Sequence, residues 1–245
     1  MKRWLSVIAC LLLLTLLIPA PVGADDLPFA VYHGSRDEKR IAVTVCDCYD
    51  IRVVGEMFDL SQRLGVDLTF FPYAYILHQE DAELWRAIAA SSCEIGSFTF
   101  ESKKLTTLTA RQIIASLARM QEALDAVLGY HYEMNCMRPP FGTVLDENGS
   151  NKKVAQAVRA YGFDHAILWD VSQTDPKRAL KDVRNGSILL YHAKPQDLAC
   201  LEVLLPDLIA EGYELVTVSE LLGFGEIATS TDLFTFAWDD NPFFH

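Results

Sequence analysis

No Ser/Gly-rich linker, low-complexity tract or internal repeat interrupts the 245 residues, which argues for one domain. Positive charge is scarce: 21 Lys and Arg stand against 33 Asp and Glu, leaving a formal net charge of -12. An acidic surface repels phosphate backbones and anionic membrane faces, so nucleic acid is set aside, while a neutral or cationic partner is permitted. Ligand spacing is missing among His33, His78, His131, His165 and His245, which are given no role. Nor would the six cysteines stay even in number once the segment holding Cys10 is removed. Past Cys10 the chain carries Cys46, Cys48, Cys93, Cys136 and Cys200, so at least one thiol is left free or pairs between molecules. With 51% hydrophobic residues the chain can bury a large core without such staples.

One long apolar run is present. Lys2 and Arg3 precede "WLSVIACLLLLTLLIPA" and then "PVGA", the layout of a secretory signal with cleavage expected after Ala24. Pro19 and Pro21 ahead of the small-residue site disfavour the alternative of an uncleaved anchor. Cys10 lies inside the run rather than at its end, which argues against lipidation there. Removing residues 1–24 takes away two positive charges and moves the net charge from -12 to -14. The expected organisation is a signal at 1–24, a lead-in at 25–39, a domain at 40–223 and an aromatic, acidic tail at 224–245, in a secreted or cell-envelope protein. A membrane would be met only through the signal segment, were it retained.

Short β-branched or aromatic runs at 40–45, 66–71, 93–98, 134–138, 164–169, 187–192 and 213–218 read as strands. Helical spacing lies between them. Ile113, Leu117, Met120, Leu124 and Leu128 share one face of a helix that Thr109 and Gln112 start as a capping box. Further helices are expected at 151–161 and roughly 195–211. Alternation of this kind implies an α/β fold with a parallel sheet of about seven strands, because parallel neighbours need long crossovers. Periodicity leaves a closed barrel and an open doubly wound sheet both standing. Either places chemistry at the C-terminal ends of the strands, where "VTVCDCYD" ends the first one.

Those strand ends form a series: "VTVCDCYD", "EIGSFTFESKKLTTLTARQI", "MRPPFG", "LWDVSQTDP" and "GSILLYH". In order and spacing it resembles the polysaccharide deacetylases, the NodB-homology family also classed as family 4 carbohydrate esterases, from about Arg40 to Val218. The resemblance implies a distorted parallel (β/α) barrel that removes acetyl groups from amino-sugar polymers such as peptidoglycan or chitin-like glycans. It also implies a divalent metal, usually zinc, held by one Asp and two His. On this sequence Asp47 matches the metal aspartate, Cys46 stands at the general base, and Cys48 replaces a glycine. Phe98 and Ser102 stand at the two His positions. Arg138, with Pro139, Pro140, Phe141 and Gly142 of the substrate cleft, matches the motif whose Arg orients the base. Asp175 matches the fourth motif, and His192 the His that protonates the leaving amine.

A phenyl ring has no donor atom and a serine hydroxyl is a weak one, so the metal triad is reduced to Asp47 and bound zinc is not the favoured expectation. Three readings follow. The first is a family member whose cleft contacts glycan while deacetylation is weak or absent. The second is an altered hydrolase using Cys46, its thiol acidified by Arg138 and paired with His192 that Asp175 orients, or a relocated metal on Asp47, Cys46 and His192. The third is a non-catalytic interaction scaffold aided by the aromatic tail. For the Cys-Asp-Cys itself, a staple or plain packing is the expectation. Residues 46 and 48 share one side of an ideal strand at ~6.6 Å, near the upper limit for a disulfide, and Cys136 is an alternative partner.

Overall fold

The structure is a computed structural model and describes residues 27–146, 148–238 and 241–243. The expected signal at 1–24 and His245 lie outside the described residues. Among those described, no helix is long and apolar enough to cross a membrane.

The centre of the fold is β2 (Arg40–Asp47), whose run of Ile, Val and Thr is buried on both faces, as a barrel strand covered by helices outside and by packed side chains inside must be. It pairs in parallel with β3 (Leu68–Pro72) and β7 (Ile188–His192), and its first residues pair with β8 (Glu214–Val216). β3 in turn pairs with β4 (Glu94–Ile95). Single bridges carry the ring onward, from Ser97 to Met137, from Met137 to Ala166 in β6 (Ala166–Ile167), and from Val171 back to Leu189 of β7. A short parallel pair, β1 (Ala30–Val31) with β6, flanks it. This is a parallel barrel distorted by strands too short to form full ladders.

Two expected strands shrink as a result. The stretch 134–138 contributes only the bridging Met137, and 93–98 only Glu94–Ile95 and Ser97. Side chains crowd the backbone there: a Cβ on Gly96 would lie 2.5 Å from a Phe71 ring carbon and 2.7 Å from the Cys136 sulfur, so only glycine fits.

Helices cover the outside. In α3 (Ala110–Leu128) the Thr109–Gln112 capping box forms as expected, all five stripe residues are buried, and Gly129 at φ 83° ends the helix. α4 (Lys152–Tyr161) and α6 (Pro195–Ala210) also agree with expectation. The sequence reading did not single out α1 (Ile51–Leu64), α2 (Ala82–Ala89), α5 (Pro176–Asp182) or α7 (Val218–Leu222). α1 opens on β-branched Ile51, Val53 and Val54, poor helix formers. It is held by the Asp50 carboxylate accepting the Val53 N–H at 3.3 Å and by burial of Val53, Val54, Met57 and Leu60.

The tail folds back onto the helices. β9 (Thr229–Ser230) pairs antiparallel with β5 (His131–Tyr132). Buried Asp125 holds the junction, its Oδ2 lying 2.8 Å from His131 Nδ1 and accepting the Phe234 N–H at 3.0 Å. Tyr161, itself against Phe163, then packs with Phe234, and stacks on Phe236 at 5.7 Å.

Glu94 is a fully buried carboxylate inside this barrel. It accepts from Thr69 Oγ1 at 3.0 Å, from the Ser219 N–H at 3.1 Å, from the Cys136 thiol at 3.4 Å and from the Ser219 hydroxyl. Burial pushes its pKa up, and these hydrogen bonds pull it back only in part. The folded protein therefore keeps this proton at pH values where the unfolded chain has lost it. The resulting stability is complete below the unfolded value of about 4.3 and is lost as pH rises through the folded one. Glu94→Gln, a neutral isostere able to donate to the Ser219 hydroxyl, is expected to fold and to reduce the fall of Tm between pH 4.5 and 8. An unchanged slope in calorimetric melts would show that Glu94 does not set it.

Candidate functional site

At the end of β2 the backbone leaves the strand abruptly: Asp47 has φ 65° and Cys48 φ 58°. Two successive non-glycine residues in the left-handed region cost on the order of 1–3 kcal/mol each. The turn also breaks side-chain alternation. Cys46 packs with Phe71, Tyr73, Phe98 and Cys136, whereas Cys48 packs into the larger cluster with Val53 and Met57. The two cysteines therefore do not share a side, and of the staple and the plain packing that were expected it is packing that is found: Cys46, Cys48, Cys93, Cys136 and Cys200 are all free and buried.

The β2 turn opens onto a cavity of about 170 Å³ lined by Cys46, Asp47, Tyr73, Phe98, Ser102, Arg138, Pro139, Phe141, Gly142, Trp169, Leu190 and His192. Nearly all the expected site residues thus meet in one place. Phe98 and Ser102 share the cavity with Asp47, at the positions the family resemblance assigns to metal ligands. Two expectations fail. Pro140 is buried and does not line the cavity. Asp175 is exposed and caps α5, accepting the Arg178 N–H at 2.9 Å, because Pro176 at the first helical position commits the preceding carboxylate to the helix start.

The partner of His192 is Asp197, in the first turn of α6, which the sequence reading missed. Its Oδ2 accepts the His192 N–H at 2.7 Å and lies 3.5 Å from His192 Nδ1. Asp197 is 2% exposed, and its Oδ1 has no hydrogen-bond partner among the described residues. On the other side, His192 Nε2 lies 4.0 Å from Asp47 Oδ2. Burial raises the Asp47 pKa, with His192 and Lys194 opposing.

Arg138 is completely buried, and its partners are carbonyls, a hydroxyl and a thiol. Nε donates to the Ile167 carbonyl at 3.1 Å and Nη2 to that of Leu168 at 2.9 Å. Nη1 donates to Thr44 Oγ1 at 2.5 Å and to Cys46 Sγ at 3.1 Å. The guanidinium also lies 4.6 Å from the Phe71 ring and 5.6 Å from that of Trp169.

Despite this neighbour, Cys46 is not acidified. Burial pushes its pKa up by more than the Arg138 charge and hydrogen bond lower it, and Asp47 adds to the rise. A thiol protonated at neutral pH and wholly out of solvent is not the activated nucleophile that the Cys46 hydrolase reading required. The relocated metal site fails likewise. Among the described residues no three His, Cys, Asp or Glu side chains converge as a cation site. A hydrocarbon and a hydroxyl at the two expected ligand positions, with one carboxylate and one imidazole across from a thiol held by Arg138, do not make a divalent-ion site.

The opposite wall comes from the "RPPFG" loop and the segment after β6. Phe141 is 60% exposed at φ 61°. Gly142 follows at φ 63°, where a Cβ would sit 2.7 Å from Trp169 Cη2, so glycine lets the loop close on the indole. Trp169 and Leu190 had not been assigned roles from the sequence, although both lie inside quoted motifs.

A distorted parallel barrel with its cavity at the C-terminal strand ends, ordered as these motifs are, defines the NodB-type class. Residues 33–166 match the polysaccharide deacetylase family, and the chain belongs to that family. The peptidoglycan-N-acetylglucosamine deacetylase PgdA of Listeria monocytogenes is 28% identical over 216 residues, covering 84% of this chain and 42% of PgdA. The chain thus spans less than half the length of that relative. A peptidoglycan-N-acetylglucosamine deacetylase of Bacillus cereus is 24% identical over 212 residues, covering 80% of this chain and 94% of that protein. Among solved structures, BA3943 of Bacillus anthracis, a CE4 family pseudoenzyme, shares the fold with a TM-score of 0.70 at 20% identity, over 81% of this chain and 70% of that one.

Proposed function

We propose that this chain is an extracytoplasmic member of the family that holds an N-acetylated amino-sugar polymer in its cleft while deacetylation is weak or absent. The observation that carries the reading is that Phe98 and Ser102 line the same cavity as Asp47, with Phe141 and Trp169 forming an aromatic wall beside His192. Loss of a general base costs roughly 10² to 10⁴ in rate, and loss of the Lewis acid several kcal/mol more, each 1.4 kcal/mol or so being tenfold. Binding needs neither group. The secretory signal expected from the sequence at residues 1–24 and the peptidoglycan named for PgdA support an envelope glycan as the partner.

Purified protein incubated with N-acetylglucosamine oligomers, with and without zinc or cobalt, is expected to release no acetate above the blank and to give saturable heats in titration calorimetry. Metal-stimulated acetate release that Asp47→Ala abolishes would defeat the reading. Absence of both turnover and binding would leave the barrel as a scaffold.

A further inference from the structure

Beyond the two missing imidazoles, the cavity holds a side chain with no assigned role. Tyr73 directly follows Pro72, the Cα partner of Asp47 in the β2–β3 ladder, so it leaves β3 beside that carboxylate. Its side chain is 2% exposed, and its ring lies on Phe98 with centroids 4.4 Å apart, with Tyr75 and Tyr49 behind at 5.6 and 5.8 Å. Ser102 lines the same cavity beside the phenol, and Asp47 and Cys46 lie close enough to act on it through space. The backbone fixes this arrangement. Thr99, at φ 73°, accepts the Ala74 N–H at 3.1 Å, and the Phe100 carbonyl accepts that of Tyr75 at 3.4 Å, tying the 98–102 loop to the tyrosine segment.

We propose that Tyr73 occupies the space enclosed by Asp47, Phe98 and Ser102, so that the pocket excludes a divalent cation by filling its seat as well as by lacking its donors. A cation entering there would have to expel a buried aromatic ring from its stack on Phe98, beside Ser102. A neutral phenol is a poor exchange for a water or imidazole ligand. The loss of the metal is therefore a packed state: Tyr75 and Tyr49 behind the ring and the backbone ties to residues 99 and 100 keep it in place when the two imidazoles alone are restored. This inference concerns the cavity floor and is independent of whether glycan binds the walls.

The test is zinc binding, read by titration calorimetry and by elemental analysis after gel filtration. The double variant Phe98→His/Ser102→His is expected to retain no stoichiometric zinc. Adding Tyr73→Val, Tyr73→Leu or Tyr73→Ser to it is expected to tighten zinc binding at least 100-fold, whereas adding Tyr73→Phe, which keeps the ring, is expected to change it less than tenfold. Asp47→Ala in the zinc-binding triple variant should abolish the gain, separating this site from adventitious surface binding. The graded series ensures a comparison with variants that keep a cooperative melt. Stoichiometric zinc in the double variant, with Tyr73 present, overturns the proposal. So does a folded triple variant that binds zinc no tighter than the double.

Discussion

Arg138→Ala is expected to destabilise the fold by about 3–5 kcal/mol, a fall in Tm of roughly 6–20 °C for a chain of this size. The guanidinium is wholly buried and supports the carbonyls of Ile167 and Leu168, Thr44 Oγ1 and the Cys46 sulfur at once. Truncation leaves two buried carbonyls without donors beside a cavity the size of the lost side chain. One effect opposes this: a buried cation with no carboxylate partner among the described residues carries an uncompensated desolvation cost, which alanine removes. Arg138→Met separates the two, since it fills most of the volume and also removes the charge. It is expected to cost about half as much as alanine. Arg138→Lys cannot hold both carbonyls and the hydroxyl with one ammonium and should behave like the alanine variant. Cys46→Ser keeps an acceptor for Nη1 and should stay within about 1 kcal/mol of the parent. Urea unfolding at constant m-value measures all four, and an alanine variant within 1 kcal/mol of wild type would mean that the guanidinium does not hold these segments together.

That a buried Arg faces a cysteine was readable from motif order, because 46, 47, 98, 102, 138 and 192 each follow a strand and strand ends converge in any parallel barrel. What the sequence hid depends on backbone conformation. The left-handed pair at Asp47 and Cys48 turned the Cys-Asp-Cys from a same-side pair into two cysteines in different clusters. The choice of Asp197 over Asp175 was set by Pro176, which commits Asp175 to capping α5, whereas Asp197 lies in the first turn of the helix after β7 and can reach back to His192. Tyr73 carried no motif signal, since an aromatic residue ending an apolar run reads as core until its neighbours are known. The short strands were hard to place for a related reason: β4 and β6 make only two-residue ladders, and the ring closes on single bridges that propensity does not mark.

Trp169→Ala is expected to weaken binding of N-acetylglucosamine oligomers by at least thirtyfold, about 2 kcal/mol, the usual cost of truncating an aromatic anchor at a recognition centre. The indole is half-buried and lines the cavity with Phe141 and Leu190. Gly142 packs on one edge of it, and the Arg138 guanidinium lies 5.6 Å from its ring. It is thus a rigid apolar surface whose orientation is set before a ligand arrives, which limits the entropy lost on binding. The second aromatic group that could take a sugar is the tail, and Trp238 is the discriminating comparison. Its ring meets Phe236 edge-on at 4.7 Å, Phe236 stacks on Tyr161 of α4, and no described tail residue lines the cavity. Trp238→Ala should therefore lower the melting temperature and leave oligomer affinity within twofold, the reverse of the Trp169 pattern. Titration calorimetry and thermal melts on both variants decide between the two surfaces: affinity lost at Trp238 and kept at Trp169 would move glycan recognition from the barrel mouth to the tail.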